Sequence, residues 1–450
     1  MNRSGHAEDW REMRENVRHT VGYERIVSLF DPGSFNEIDA LARSGEGPAE
    51  AVAGYGTIGG RPACAFSQNG GVAGGAMSKA QASKIKKAYR LALKSGIPLV
   101  GIFDSAGVRL KEGADVLDSF GEILLNANRL SGVVPQISLV LGPCTGTSAM
   151  AAAGADLVVM SGKGELTVST AGDDGSPAQA EKLGVCHVAA EDEAKAVGIV
   201  RELISLLPSN NLAASPLAEA VPPARSPASG SSPREVVGSV ADAGTFLELG
   251  AKFGSGAVAG FARVGGTAAG LVCLTGEIDA DSCSKSARFV RFCDSFSVPV
   301  VTFVDAGKFS TLREASKLSS AYSEATTAKV TVVTGSACGP VYLAAVGRGA
   351  NSDYTFAWPD AVVSALQPET AAVFLWNDRL KGSADPVGDR RKLIEEYQTT
   401  EAGAATAAAG GLIEDIVEPE HTRDKIIACL DMLSGKRVST LPKKHADIQL

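Results

Sequence analysis

Three strings recur in the same order about 200 residues apart. GYGTIGGRP (Gly54 to Pro62) is matched by GFARVGGTA (Gly260 to Ala268). IPLVGIFDSAGVR (Ile97 to Arg109) is matched by the end of SKSARFVRFCDSFSVPVVTFVDAGKF (Ser284 to Phe309), with Pro98 and Pro299 each six residues before an aspartate, Asp104 and Asp305. VPQISLVLGPCTGT (Val134 to Thr147) is matched by TAKVTVVTGSACGP (Thr327 to Pro340). A period this long is not that of a solenoid, whose repeats run to about 20–50 residues. It requires one structural plan built twice, hence two homologous domains. The 450 residues allow each domain a full core.

Each copy has the same internal grammar. QASKIKKAYRLALKSG (Gln81 to Gly96) places Ile85, Ala88, Ala92 and Leu93 near helical spacing and stops at a glycine. The apolar run from Ile97 to Phe103 then reads as a strand buried on both faces, as in a parallel sheet. It ends abruptly at Asp104, Ser105, Ala106 and Gly107. Small residues let backbone approach a ligand closely. If a helix follows such a loop, its N–H groups form an electropositive pocket able to hold a developing oxyanion.

Along the chain, residues 1 to about 30 read as a polar helix leading to a turn at Asp31-Pro32-Gly33. Strands are expected near Val52 to Tyr55 and Arg61 to Ser67, then a glycine-rich loop, Gln68 to Ser78. That loop has neither G-x-x-x-x-G-K-[ST] nor G-x-G-x-x-G, so a nucleotide loop is not indicated. A helix over Asp115 to Leu130, strands at Gln136 to Leu141 and Asp156 to Met160, and a mostly helical section from Ala178 to Leu207 complete the first half. AVPPARSPASGSSP (Ala220 to Pro233) is the only Pro/Ser-rich stretch and marks a linker. The expected division is residues 1–221, a linker at 222–234, and 235–450. The second half repeats the plan: a helix and turn over Val236 to Leu249, strands near Gly256 to Val264 and Ala268 to Thr275, a helix from Ser284 and a strand from Val298 to Val304. A helix over Arg313 to Thr326, a strand from Lys329 to Thr334, the turn FAWPDA (Phe356 to Ala361), helices to Leu433 and a loose tail follow.

Composition removes several classes. Net charge is −8 and no basic run stands out, which argues against nucleic acid or anionic membrane as partner. The eight cysteines are scattered with no C-x-x-C pair, which disfavours a metal finger or disulfide frame and suits a reducing compartment. No metal is expected. No apolar stretch reaches membrane-spanning length, and the N-terminus has no apolar core. The cytoplasm is the expected location.

The strings DPGSFNEID, GYGTIGGRP, FDSAGVRLKEG, GPCTGTSAMAAAGAD, LPSNN, ARFVRFCDSFSVPVVTFVD and DYTFAWPDA, in this order and spacing, resemble the carboxyltransferase family of biotin-dependent acyl-CoA carboxylases. The likeness is to the propionyl-CoA/acetyl-CoA carboxylase β-subunit type and to the α-subunit of sodium-pumping acyl-CoA decarboxylases, over about Val27 to Arg437. The resemblance implies an α/β fold of two tandem crotonase-like domains of duplicated ββα units. It implies transfer of a carboxyl group between carboxybiotin and a short acyl-CoA, acetyl- or propionyl-CoA. Acyl-CoA would lie on the N-domain of one subunit and carboxybiotin on the C-domain of another. Biotin would be the cofactor, carried on a separate biotin carboxyl carrier protein and loaded by a biotin carboxylase, since no M-K-M motif occurs here. Coenzyme A enters as part of the substrate. The oligomer would be at least a dimer and commonly a hexamer, of this chain alone or with a paralogous chain.

By position, the resemblance makes the N–H groups of Ala106 and Gly107 the acyl-CoA oxyanion hole. Gly74, Gly75, Ser105, Cys144, Thr145 and Gly146 would surround that substrate. Gly339 and Val341 would serve the biotin oxygen, with Gly307, Phe309, Tyr342 and Leu343 around it. Leu343 occupies the position that influences acyl length, and an apolar residue there leans towards acetyl-CoA. The chain departs from the family in four places. Ala106 replaces the first glycine of a Gly-Gly pair. Gly339-Pro340-Val341-Tyr342 stands for Gly-Gly-Ala-Tyr, and proline has no N–H. Gly307-Lys308-Phe309 stands for Pro-Gly-Phe. The segment Ser169 to Ser176 is also shortened. These departures keep two alternatives open: the transferase subunit of a biotin-dependent membrane acyl-CoA decarboxylase, or a non-catalytic homologue pairing with an active paralogue.

Other candidates have simpler readings. Arg109 and Lys111 could meet CoA phosphates or be ordinary surface charges. His187 reads as a structural hydrogen-bonding residue and Cys144 as a small buried hydrophobe. Ser105 lies outside any G-x-S-x-G motif, which argues against a serine hydrolase. Trp358 reads as packing beside the biotin site.

Overall fold

The structure, a computed structural model, describes residues 3–44, 47–169, 172–439, 442–443 and 447. The loose tail expected from residue 442 falls mostly outside the described residues, as do residues 170 and 171 of the shortened segment. The chain forms two compact units, Met1–Pro216 and Leu217–Leu450. Within the Pro/Ser-rich region, Val221 accepts a hydrogen bond from the Ala243 N–H (2.8 Å), and just before it Ala218 donates to Gly266 O (3.1 Å).

The first unit opens with α1 (Arg3–Arg18) and α2 (Val21–Leu29). Then come β1 (Asn36–Ile38), a small hairpin of β2 (Arg43–Ser44) and β3 (Gly47–Pro48), β4 (Ala51–Ile58), β5 (Arg61–Gln68), α3 (Lys79–Ser95), β6 (Leu99–Ser105) and α4 (Asp115–Leu130). It closes with β7 (Gln136–Thr145), α5 (Thr147–Ala153), β8 (Leu157–Met160), β9 (Glu165–Thr167), α6 (Pro177–Lys182), β10 (Val188–Ala189) and α7 (Glu193–Leu206). The sheet order is β1-β4-β5-β6-β7-β8-β10, with β9 extending beside β7. The β1–β4 and β4–β5 pairings are antiparallel and the rest are parallel.

The second unit repeats this. It contains α8 (Pro233–Val240), β11 (Leu247–Leu249), β12 (Ala257–Val264), β13 (Thr267–Ile278), α9 (Ala280–Ser295), β14 (Val300–Phe309), α10 (Arg313–Glu324), β15 (Lys329–Cys338) and α11 (Pro340–Ala345). After these come β16 (Tyr354–Ala357), β17 (Val362–Ser364), α12 (Pro368–Leu380), α13 (Pro386–Thr400), α14 (Ala404–Ala409), β18 (Asp415–Ile416) and α15 (Thr422–Leu433). Its sheet order, β11-β12-β13-β14-β15-β16-β18 with β17 beside β15, is the first order over again. The fold is α/β, and the two domains of ββα units that the resemblance implies are present. Helices α12 and α13 are added in the second unit between β17 and α14.

Differences from the sequence expectations have local causes. Helix α3 begins at Lys79 because Ser78 caps it, accepting from Gln81 N at 3.1 Å. Helix α9 begins at Ala280, not Ser284, because Asp279 accepts from Ser282 N at 2.7 Å. The section 178–207 is not one helical block. Val188–Ala189 pairs in parallel with Val159–Met160, a two-residue strand too short to show a period. Leu247–Leu249 is likewise a strand, antiparallel to β12, where a turn is expected. β17 and β18 interrupt the C-terminal stretch read as helical.

One clamp appears in both units and is the strongest physical trace of the duplication. The β4–β5 hairpin turns through Gly59 and Gly60 (φ 58° and 75°), the β12–β13 hairpin through Gly265 and Gly266 (φ 61° and 80°). Two consecutive positive φ values are the tight hairpin turn that glycine pairs favour. Asp31, in the turn after α2, accepts from Gly59 N (2.9 Å), Gly60 N (2.8 Å) and Arg201 Nη2 of α7 (2.8 Å). Asp242, in the turn after α8, accepts from Gly265 N (3.0 Å), Gly266 N (2.8 Å) and Arg423 Nη2 of α15. Each aspartate thus ties the helix before it, the glycine-turned hairpin that opens the sheet's long strands and the unit's last helix together.

The cores flank the sheets. In the first, Phe66 meets Phe103 edge-on with centroids 5.4 Å apart and Tyr89 at 6.0 Å, among Phe120 and Ile123. In the second, Val237, Phe303, Phe356 and Trp358 form the larger cluster, and Trp358 donates to Thr422 Oγ1 at 2.9 Å. Burying each such aromatic contributes about 1.5–3 kcal/mol.

Asp242 is 1% exposed and its arginine 13%. Asp242→Ala leaves that guanidinium buried without its partner and should cost about 3–5 kcal/mol in urea unfolding of the second unit. Hydrogen bonds from Gly60, Arg201, Gly59 and Thr57 hold the Asp31 carboxyl well below its usual 3.8. The fold therefore favours its ionised form. That contribution is fully present above the unfolded value and fades as pH falls below about 4. Wild type and Asp31→Asn should differ in urea midpoint at neutral pH and converge as the pH is lowered.

Candidate active site

In both units the site is built where two central strands slip register. Phe103 lies opposite Val140 and Ser105 opposite Cys144, so two steps along β6 span four along β7. Val304 lies opposite Val333 and Ala306 opposite Ala337, the same two against four. The extra residues contain Gly142 and Gly335. The aspartate between the paired residues fills the space: a Cβ on Gly142 would come within 2.6 Å of the Asp104 carboxylate, and one on Gly335 within 2.1 Å of Asp305. Gly70 would meet Asp104 at 2.5 Å. The bare backbone here is a packing requirement.

Past Asp104 the first unit forms a tightly clipped loop. Ala106 N donates to Gly74 O (2.8 Å), Met77 N to Gly107 O (2.8 Å) and Arg109 N to Met77 O (3.0 Å). Gly75, at φ 63°, leaves no room for a side chain, since its Cβ would stand 2.1 Å from Asp104 O. Ala106 is absent from the residues with positive φ, so its Cβ costs nothing, whereas Gly107 adopts φ 98°. Gly107 N donates to Ser105 Oγ at 3.2 Å, and Ser105 Oγ shares a buried contact with Ser148 Oγ at 3.1 Å. Cys144 is fully buried beside Ser105, and burial, with Asp104 second, pushes its thiol far up. It is no nucleophile. Thr145 O and Oγ1 lie 3.4 Å from where a Gly107 Cβ would be, and Gly146 (φ 58°, ψ −125°) caps α5. The eight first-unit candidates are therefore gathered in one place. Of the two expected donors, however, the Ala106 N–H is taken by Gly74 and the Gly107 N–H is shared with a hydroxyl that can turn away. The first-turn N–H groups of α5 have no acceptor within the helix.

The second unit uses the same cap. Gly339 (φ 48°, ψ −117°) precedes α11 and donates its own N–H to Ser364 O (2.8 Å), as Gly146 does to Thr167 O (2.8 Å). Both dihedrals agree with Gly146 to within about 10°. Pro340 occupies the first helical position, where a missing N–H breaks no helical bond. It does not distort the loop. Val341, fully buried, and Tyr342 follow in the first turn. The Tyr342 hydroxyl donates to Leu412 O (2.7 Å), and burial raises its pKa. Leu343 is 61% exposed. Gly307 faces the Gln367 amide at the start of α12, 2.8 Å from a would-be Cβ. Lys308 pairs with Glu277 across the strands (2.8 Å), both about half exposed, and Phe309 lies beside Ile278. Such a pair is worth about 0–1 kcal/mol, and it neutralises the charge that the sequence places near this loop.

Arg109 turns inward to the 1%-exposed Glu50 and to Ser44, which accounts for its charge without a phosphate. Lys111 is exposed. His187 Nδ1 accepts from Val158 N at 2.9 Å, a structural bond. Sequence reasoning passed over Arg25 of α2, which donates to Asp104 Oδ2 (2.6 Å) and grips Glu193 of α7 with two nitrogens (2.6 and 3.1 Å). Burial works to lower the Arg25 pKa, but the hydrogen bonds to Glu193 and Asp104 prevail and raise it. Among the described residues, no helix is long and apolar enough to cross a membrane, and no group of three or more His, Cys, Asp or Glu could hold a metal.

Comparison with known proteins agrees with this architecture. The carboxyl transferase domain model matches residues 17–448. The propionyl-CoA carboxylase beta chain of Saccharopolyspora erythraea is 36% identical, over 95% of this chain and 90% of its own. The methylmalonyl-CoA decarboxylase subunit alpha of Veillonella parvula is 34% identical, over 98% and 96%. The crystal structure of the transcarboxylase 12S hexamer with hydrolysed methylmalonyl-CoA bound superposes with a TM-score of 0.91 at 31% identity, covering 100% of this chain and 99% of that one. Repeated sheets, paired loops and relatives of full length lead to one conclusion: the chain belongs to the carboxyl transferase family.

Proposed function

We propose that this protein moves a carboxyl group between carboxybiotin and a short acyl-CoA, acetyl- or propionyl-CoA. The observation that carries this is the pair of glycine-capped loops at matching strand ends, each opening a helix whose first-turn backbone amides face no helical acceptor. An acyl-CoA that gains or loses a carboxyl group passes through an enolate with charge on the thioester oxygen. Fixed N–H donors stabilise that charge without reorganising. In the first unit, Gly107 and the first turn of α5 supply those donors, while Ala106 locks the loop to Gly74. In the second unit, Gly307, Phe309, Gly339, Val341 and Tyr342 would hold biotin, whose uncharged ureido group suits a donor set of this kind. Biotin supplies the carboxyl carrier and arrives on a separate biotin carboxyl carrier protein charged by a biotin carboxylase. The working assembly is a hexamer, as the 12S relative is. The same donors serve both directions, so the protein catalyses the reverse transfer as well. The retained geometry at Gly339 and Pro340 favours this reading over a non-catalytic homologue.

The test is the reverse reaction. Purified protein with malonyl-CoA or methylmalonyl-CoA should release acyl-CoA only when biocytin is present, and the two rates rank the acyl groups. No biocytin-dependent turnover would sink the reading. Gly75→Ala, which drives a methyl group into the Asp104 carbonyl, should lower kcat on the order of 100-fold. Pro340→Gly should leave kcat within about tenfold. A gain of the about 100- to 1000-fold that one oxyanion donor is worth would instead identify the first helical N–H as a missing catalytic group.

A further inference from the structure

The duplication gives each half an internal control for the other, and the two halves hold their site aspartate differently. With the Asp31 and Asp242 turns superimposed in sequence, Arg25 stands against Val236, which is buried in the second core. With Gly142 and Gly335 superimposed, Pro143 stands against Ser336. In the second unit Ser336 N donates to Asp305 Oδ1 at 2.8 Å. In the first unit a proline occupies that place and has no N–H to give. There the carboxylate is met by Arg25 Nη1 at 2.6 Å, while Nη2 reaches towards Leu141 O at 3.5 Å, at the start of the same register slip. Arg25 is itself oriented by Glu193, so its direction is not left to solvent. Asp104 is the last fixed point before the Ser105–Gly107 loop, and its carbonyl packs against Gly75, next to the Gly74 carbonyl that holds Ala106.

We infer that Arg25 is a positioning residue for carboxyl transfer: it replaces the backbone donor lost at Pro143, anchors Asp104, and thereby sets where the acyl-CoA loop presents its N–H groups. Arg25 touches no reacting atom in this scheme. The inference rests on the first unit's loop being the acyl-CoA site, as proposed above. The groups facing Asp104 are Arg25, with Glu193 behind it, and the buried Cys144. Only Arg25 brings positive charge.

The experiment compares wild type, Arg25→Gln, Arg25→Lys, and Arg25→Gln combined with Pro143→Ser, each checked for an intact fold by circular dichroism. Two readouts are taken: biocytin-dependent turnover, and deuterium uptake of the peptide covering residues 99–109 in the intact protein. Arg25→Gln should lower kcat on the order of 100-fold. KM for biocytin should change little, and uptake should accelerate in that peptide while the second unit is unaffected. Arg25→Lys should recover part of both. Adding Pro143→Ser, which restores the donor used by the second unit, should slow the uptake again and raise kcat. Rescue of this kind separates positioning from general packing, since a new amide donor fills no volume left by the arginine. Unchanged kcat and uptake in Arg25→Gln would overturn the inference, as would loss without any rescue by Pro143→Ser. If wild type itself shows no turnover, the functional proposal fails, and the uptake comparison alone then decides whether Arg25 sets the loop.

Discussion

A carboxylate packed onto bare backbone fixes the site in both halves of this protein. Where β6 meets β7 and β14 meets β15, the longer strand makes room for an aspartate side chain, and the glycines around it have no space for a Cβ. Asp104 is sheltered there and needs a charged donor, because burying a carboxylate unpaired costs several kcal/mol, whereas Asp305 is exposed. The chain immediately beyond it inherits the aspartate's position. Gly75 packs directly on the Asp104 carbonyl, and the small-residue loops with Gly107, Gly146 and Gly339 at positive φ, and the short helices after the last two, follow at the same strand ends.

The duplicated clamp at Asp31 and Asp242 works one layer further out. It holds hairpin and helices in the same relation twice, while the loops at the strand ends have diverged. Pro340 shows how much divergence the frame absorbs. At the first helical position, proline's fixed φ suits the helix and its missing N–H belongs to a group that no helical carbonyl would accept. The cap before it keeps the dihedrals of the unsubstituted copy. Lys308 is absorbed differently, through a partner one strand away that neutralises it.

The sheets and main helices were legible in the sequence because each carries a period, a cap or a stop. The repeated strings GYGTIGG and GFARVGG mark the hairpins that open each sheet. What escaped was of two kinds. Strands of two or three residues, such as Val188–Ala189 and Leu247–Leu249, are too short to carry a period and form only because a neighbouring strand edge is waiting. Site residues could be gathered by family likeness, and the first-unit candidates do cluster. Residue type, however, does not tell where an N–H points. The N–H groups of Ala106 and Gly339 turn out to be spent on Gly74 and Ser364. Arg25 escaped because its partner is 79 residues away, and only the alignment of the two halves, Arg25 against Val236, distinguishes it.

The electrostatic consequence of that pairing bears directly on the chemistry. Asp104 immediately precedes the Ser105–Gly107 loop that would receive a negative thioester oxygen, with its side chain 17% exposed. A charge left unpaired beside a developing oxyanion opposes it, by about 3 kcal/mol for two unit charges about 6 Å apart at an effective dielectric constant of about 20. A penalty of that size is comparable to what one oxyanion donor provides. Asp305 is exposed, so water screens it and a single backbone donor suffices. Asp104 is sheltered, so its charge must be met by an opposite one. The first unit therefore carries an arginine where the second carries a valine, and the asymmetry follows from how deeply each half buries the same carboxylate.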